Sequence, residues 1–268
     1  MIFSLASSVL YAFATLIQWR SLKQSPLEHP GSITLFSVPA VILHAYQLLA
    51  LGSTQEHVIF SLLNTLSFIG LSLATVVIIT SYRLPLHTLK LAAFPIAIIT
   101  QLAAAILPPS QMIEPEIMSR GIFAHVALSM AAYAFLSLAT LQALIIFWQN
   151  RELKSHRNSK MLKLFPPLQT NETILFELIW LGVIILSMAI IAGALYVDNL
   201  FTQHLAHKTI LTLTSWLFFS LLLSGRYLWG WRGILAARLT VFSSILLMIG
   251  FLGSKFVLEY VMSGRVHS

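Results

Sequence analysis

The chain of 268 residues contains no cysteine. Disulfides, thiol-redox relays, thiolate-bound metals and covalently attached c-type haem all require cysteine sulfur, so each of them is excluded. Charged residues are also scarce, at 9% of the chain, whereas 57% of the residues are hydrophobic. So little polar surface cannot cover a soluble domain of this length. The composition therefore predicts a membrane protein.

Long apolar stretches are what the chain has instead. Because a hydrocarbon core of about 30 Å needs roughly 20 apolar residues in a helix, eight stretches are long enough to span it. They lie near residues 1–18, 33–51, 60–80, 89–107, 121–148, 175–196, 209–226 and 239–258. The runs are continuous rather than alternating, which favours helices over a barrel. We therefore predict an all-α, polytopic membrane bundle of about eight transmembrane helices that forms one integral membrane domain over residues 1–268.

The first apolar stretch resembles a signal peptide in length, but it has no basic region before it and is followed by Trp19 and Arg20. We interpret it as a retained span. The net charge of +7 lies mainly in short loops beside the apolar stretches, so it indicates topology and does not predict binding to nucleic acid.

With both termini placed on the outer (periplasmic) side, twelve of the 16 basic residues fall on the inner side. The positive-inside rule therefore predicts this orientation.

Two histidines lie within predicted spans. His44 is near the middle of the second span, and His125 is near the start of the fifth, closer to the predicted outer surface. Ionisable groups at membrane depth are costly to bury, so they are functional candidates. Gln47 is three residues after His44 and Ser129 is four after His125, and we expect these neighbours to orient the imidazoles. Neutral imidazole is a good ligand for iron, including haem iron, so both histidines are candidate cofactor and metal ligands.

The alternative is that each histidine only forms a hydrogen bond across the bundle, and the residues themselves leave both interpretations open. Other polar residues have simpler explanations. Glu177 is close enough to the inner interface for its carboxylate to reach water. Asn64, Gln101 and Gln142 are expected to form hydrogen bonds between helices. The basic segment 151–163 is expected to be a solvated loop, with binding of anionic lipid headgroups as its alternative.

Several segments resemble a known family. The fifth span, His-Val-Ala-Leu-Ser-Met-Ala-Ala-Tyr-Ala at residues 125–134, resembles the start of a helix in the cytochrome c assembly family of the CcsA and CcmC type. His44 falls where that family has a membrane-embedded histidine. The last two spans resemble the YpjD-like inner membrane branch, on the segments Ser-Trp-Leu-Phe-Phe at 215–219, Trp-Gly-Trp-Arg-Gly at 229–233 and Gly-Phe-Leu-Gly-Ser-Lys-Phe-Val-Leu-Glu at 250–259.

The resemblance implies haem that is bound within the membrane and near its outer face by two pairs of histidines, beneath a tryptophan-rich outer loop. This sequence departs from that pattern. The corresponding loop, residues 198–208, has no tryptophan, and the second histidine of each pair corresponds to Ser224 and to a position near Met262. Each pair therefore keeps one member, His44 or His125. His204 or His207 is a candidate for the missing outer ligand, and Arg120 and Lys208 are candidates for contact with haem propionates.

From the resemblance we expect a multi-pass protein of the bacterial inner (plasma) membrane that binds or handles haem in cytochrome c assembly. Its expected partners are haem, the lipid bilayer, and an apocytochrome or another membrane assembly protein. We do not expect an enzyme, because a complete ligase has two histidine pairs and each pair keeps only one member in this chain. The alternative function is a structural or regulatory membrane subunit that has kept the fold without haem.

Overall fold

The computed structural model describes residues 2–24, 30–53, 62–107, 120–155, 162, 165–196 and 206–253. Its helices are α1 (Ile2–Gln24), α2 (Pro30–Ser53), α3 (Leu62–Thr80), α4 (His87–Ile106), α5 (Arg120–Lys154), α6 (Leu168–Tyr196), α7 (Ala206–Trp229) and α8 (Gly233–Met248), and α8 continues into a π-helical segment, Ile249–Gly253. Within these ranges there is no strand. Among the described residues, eight helices are long and apolar enough to cross a membrane, which confirms the predicted all-α bundle.

Among the helix starts, the two largest differences from the apolar windows are at α6 and α8, which both begin earlier. Helix α6 begins at Leu168 rather than near 175, directly after Pro166 and Pro167, because its polar first turn is excluded from an apolar window. Helix α8 begins at Gly233 rather than near 239, and the chain enters it through a turn with positive φ angles at Gly230 (66°) and Gly233 (63°). These angles favour glycine because it has no Cβ.

The chain divides into two compact units, Met1–Ile117 and Met118–Ser268. In the first unit α1 packs against α2 and α4, and α3 packs against α2 and α4. In the second unit α5 packs against α6 and α8, and α7 packs against α6 and α8. The predicted single domain over residues 1–268 concerns both units together and stays a prediction, as does the orientation of the termini.

Small polar side chains occupy much of the interior of each unit. Ser7 Oγ donates a hydrogen bond to the Ala40 carbonyl (2.8 Å) in the first unit, and Ser215 Oγ donates to the Ser243 carbonyl (2.7 Å) in the second. Hydrogen bonds of this kind between membrane helices contribute about 0.6 kcal/mol on average. Large apolar side chains are exposed instead, as expected where lipid is the solvent.

Candidate functional site

His125 lies in the second turn of α5 and faces α6. Its Nδ1 atom is 2.8 Å from the backbone carbonyl oxygen of Ala189. A carbonyl oxygen only accepts hydrogen bonds, so Nδ1 carries the proton and donates it. In the neutral ring Nε2 then keeps its lone pair. This is the usual arrangement of a metal-ligating histidine, in which the second ring nitrogen is held by a backbone or carboxylate acceptor.

Gly193 provides the space that the His125 ring occupies. It lies four residues after Ala189, so both residues are on the same face of α6. A Cβ atom at position 193 would lie 2.9 Å from His125 Cε1 and 3.0 Å from Nδ1, closer than a normal contact. One turn further out, Gly121 packs directly against the ring of Tyr196. Glycines on both helices therefore allow the close approach of α5 and α6 around this imidazole.

The surroundings of His125 are apolar and accessible. Its side chain is only partly buried. Tyr196 at the end of α6, which packs against Gly121 one turn before His125, is 53% exposed. An accessible imidazole beside exposed apolar and aromatic surface is suited to a flat, apolar ligand that carries a metal.

His44 is fully buried in the first unit. Its Nε2 atom is 2.9 Å from the hydroxyl oxygen of Ser67 on α3, and its ring packs edge-on against the ring of Tyr11 on α1, with 6.1 Å between the centroids. A hydroxyl both donates and accepts, so this bond leaves the tautomer of His44 open. The Nδ1 atom is buried and has no hydrogen-bond partner.

The prediction that Gln47 and Ser129 orient the two imidazoles is wrong. Each ring projects away from its own helix and meets an acceptor or donor on the neighbouring helix, Ser67 for His44 and the Ala189 carbonyl for His125. Both histidines therefore do form a hydrogen bond across a helix interface. Each also has a second ring nitrogen that this bond does not use.

No group of three or more histidine, aspartate or glutamate side chains comes together as a metal-ion site within the part of the chain that the structure describes. The two histidines lie in different units.

Comparison with known proteins identifies the family. The cytochrome c assembly protein family matches residues 27–262, which is most of the chain. The chain belongs to this family. Among its relatives, the inner membrane protein YpjD of Escherichia coli K12 is 29% identical over 267 residues, covering 97% of this chain and 99% of the relative. The cytochrome c biogenesis protein CcsA of Prochlorococcus marinus AS9601 is 23% identical over 256 residues, covering 85% and 82%. No solved structure matches the chain.

Membership of the cytochrome c assembly family confirms the resemblance seen in the sequence and supports a role related to cytochrome c biogenesis. The eight apolar helices, together with the inner membrane relative, also confirm a multi-pass inner membrane protein.

Several other positions that the family pattern singled out are exposed, have other contacts or lie outside the described residues. Ser224, at the position of a second membrane histidine, is exposed on α7. Lys208 places its ammonium group 4.9 Å from the ring centroid of Phe251 in the π-helical segment, a cation–π contact. Met262 and His204 lie outside the described residues, as does the side chain of Arg120. His207 is exposed at the start of α7.

The sequence interpretation missed part of a buried amide network in the second unit. Gln142 Nε2 donates to Asn171 Oδ1 (2.8 Å), Asn171 Nδ2 donates to Gln149 Oε1 (2.7 Å), and Gln149 Nε2 donates to the Pro166 carbonyl (2.7 Å). Gln142 was correctly expected to bond between helices. The spacing of seven residues between Gln142 and Gln149, which puts both amides on one face of α5, was the signal for the rest.

Proposed function

We propose that this protein is an inner membrane factor that binds and hands over haem in cytochrome c assembly, with His125 as its principal haem ligand. The observation that carries this proposal is the hydrogen bond from His125 Nδ1 to the Ala189 carbonyl. It orients the ring and leaves Nε2 free to ligate iron. Membership of the cytochrome c assembly family supports haem as the ligand.

In this proposal the chain binds and orients haem without covalent chemistry of its own, so it is not an enzyme. Haem supplies the iron and a flat apolar macrocycle that is later attached to an apocytochrome. Ala189 and Gly193 hold the His125 ring in one position, and the exposed ring of Tyr196 would offer an apolar contact to the macrocycle. The proposed recipients are an apocytochrome or another membrane assembly protein.

His44 is the second proposed ligand. Its unpartnered Nδ1 is a suitable donor atom for a metal when Nε2–H donates to Ser67. The ring is fully buried beneath Tyr11, so haem reaches it only if α1 and α2 separate. His125 therefore ranks first among the candidate ligands.

Haem titration of the purified protein in detergent tests this function. We expect wild-type protein to develop a Soret band that saturates with haem and shifts on reduction. His125→Ala should lose that band or shift it strongly, because the iron loses its imidazole ligand. His87→Ala, which removes a partly buried histidine at the start of α4 that is no candidate ligand, is the control and should behave as wild type. A preparation that stays colourless after haem loading would contradict the proposal.

A haem-free structural or regulatory subunit is the second candidate function. It is favoured by the fact that each membrane histidine already bonds across a helix interface. In that case His44→Ala and His125→Ala would lower thermal stability while no variant, nor the wild type, would bind haem. Measuring the melting temperature and the haem spectrum on the same samples separates the two functions.

A further inference from the structure

Lys90 is a buried cation near the start of α4. Its side chain is only 7% exposed. Among the residues that the structure describes, its ammonium group has no hydrogen-bond or ion-pair partner, and yet it is not one of the polar atoms that are cut off from the surface. An unpaired charge in a membrane-spanning helix is costly, so such a group is expected to have a partner. The Lys90 ammonium group therefore reaches accessible space without a counter-charge from these residues.

The ammonium group lies at the beginning of α4. Long side chains in a helix point back towards its start, so the side chain of Lys90, the fourth residue, covers the first turn. It is also close enough to His87, the first residue, to interact with the His87 ring electrostatically. The backbone amides of His87, Thr88 and Leu89 have no partner in the described part of the chain, and no side chain caps the helix. Free amides at a helix start favour an anion, and so does the helix dipole.

The charges of the first unit also favour an external anion at this end. Helices α1 and α4 pack antiparallel, because Gln101 near the end of α4 bonds the carbonyl of Ser4 near the start of α1. The end of α1 therefore lies beside the start of α4. All four lysines and arginines of the described part of this unit belong to this end, and that part contains no aspartate or glutamate. The four are Arg20, Lys23, Arg83 and Lys90.

We propose that the start of α4, together with the Lys90 ammonium group, binds a phosphate group. A phosphate carries negative charge and several acceptor oxygens, so it can accept hydrogen bonds from the ammonium group and from the free amides at the same time. Lipid headgroups and free phosphate share this chemistry. The position favours a lipid, because the membrane-spanning part of α4 begins at His87 and lipid phosphates lie at the boundary of the hydrocarbon core.

Melting temperatures of the purified full-length protein in a non-ionic detergent, without haem, test this site. Three additives are compared: anionic phosphatidylglycerol, zwitterionic phosphatidylcholine, and inorganic phosphate at an ionic strength matched with sodium chloride. A ligand that binds only the folded protein raises its melting temperature. We expect a larger increase with phosphatidylglycerol than with phosphatidylcholine. An increase with inorganic phosphate alone supports the site with free phosphate as its ligand. Equal increases with both lipids and none with inorganic phosphate, or no increase at all, overturn the proposal.

Two charge-removing variants show whether the increase depends on Lys90. Lys90→Met keeps a side chain of similar length, and the loss of a charge-assisted hydrogen bond should weaken binding by about tenfold or more, which removes most of the increase. Lys23→Met is the matched control, because it removes one positive charge from an exposed position at the same end of the unit. It should keep the wild-type increase.

Two results with these variants would overturn the proposal. A wild-type increase in Lys90→Met would mean that the ammonium group does not bind the additive. An equal loss in Lys23→Met would mean that the additive responds to surface charge in general. Haem takes no part in either measurement, so failure of this proposal leaves the proposed haem function standing, and the reverse also holds.

Discussion

Gly193→Ala is expected to weaken haem binding through the position of the His125 ring. The added Cβ would lie 2.9 Å from Cε1 and 3.0 Å from Nδ1 of that ring. Ordinary contacts between carbon atoms begin at about 3.5 Å, so the ring has to retreat by about 0.5 Å or more. Because Gly193 and Ala189 lie on the same face of α6, a retreat from one also increases the distance to the other.

The hydrogen bond to Ala189 is the interaction that this movement breaks. Its length of 2.8 Å would increase to about 3.3 Å or more, beyond the usual range for such bonds. A lost hydrogen bond of this type costs about 0.5–1.5 kcal/mol. If the ligating orientation of the imidazole depends on it, the dissociation constant for haem rises by about two- to tenfold.

Haem titration followed at the Soret band measures this change, with the melting temperature recorded on the same protein. Gly182→Ala is the matched control, because a Cβ there would meet Leu136 Cδ2 at 2.6 Å, at the same α5–α6 interface but away from His125. We expect Gly182→Ala to lower the melting temperature while its haem affinity stays at the wild-type value.

Two results would refute this reasoning. Wild-type haem affinity in Gly193→Ala would show that the ring position does not matter for ligation. Equal losses of affinity in Gly193→Ala and Gly182→Ala would show that general packing of α5 against α6, rather than the orientation of the imidazole, controls binding.

Three further experiments test the amide network, the hydrogen bond of His44 and the topology. Asn171→Ala removes the side-chain acceptor of Gln142 and leaves the buried Gln149 Oε1 without its donor, so the free energy of unfolding in detergent should fall by about 1–3 kcal/mol. Ser67→Ala removes the partner of His44 Nε2 and should also lower it by about 1–3 kcal/mol. Ser155→Cys and His207→Cys place single thiols at exposed positions of a chain that lacks cysteine, and an impermeant maleimide added from the periplasmic side should modify only the second variant.

The controls for these experiments come from the same helices. Thr173→Ala, an exposed change near the amide network, should leave the free energy of unfolding near the wild-type value. Unfolding at wild-type stability in Asn171→Ala would mean that the network contributes nothing. Maleimide labelling of the Ser155→Cys protein from the periplasmic side would reverse the predicted orientation.

Helix number and approximate position could be predicted because they depend on a local property. A stretch such as 121–148 is apolar over a length that spans the bilayer, whatever its neighbours do. Helix starts were less predictable. Helix α6 begins at Leu168 with a polar first turn, and α8 begins at Gly233 after a positive φ angle at Gly230, so neither start coincides with the start of an apolar stretch.

Both histidines could be identified in advance, because a titratable group in an apolar run is unusual wherever the helix packs. Their hydrogen-bond partners could not be predicted from the sequence. Ala189 acts through a backbone carbonyl, which every residue has, and Ser67 is one of many serines in the chain. The contribution of Gly193 depends on where an α5 side chain meets α6.

The sequence by itself determined that this protein is an eight-span membrane bundle without thiol chemistry, and which two imidazoles lie at membrane depth. Only the tertiary structure decided that Nε2 of His125 stays free and that Nδ1 of His44 is buried without a partner. The physical reason is that the two kinds of property depend on different parts of the molecule. Hydropathy acts along the chain, whereas a hydrogen bond depends on atoms of two helices coming within about 3 Å of each other.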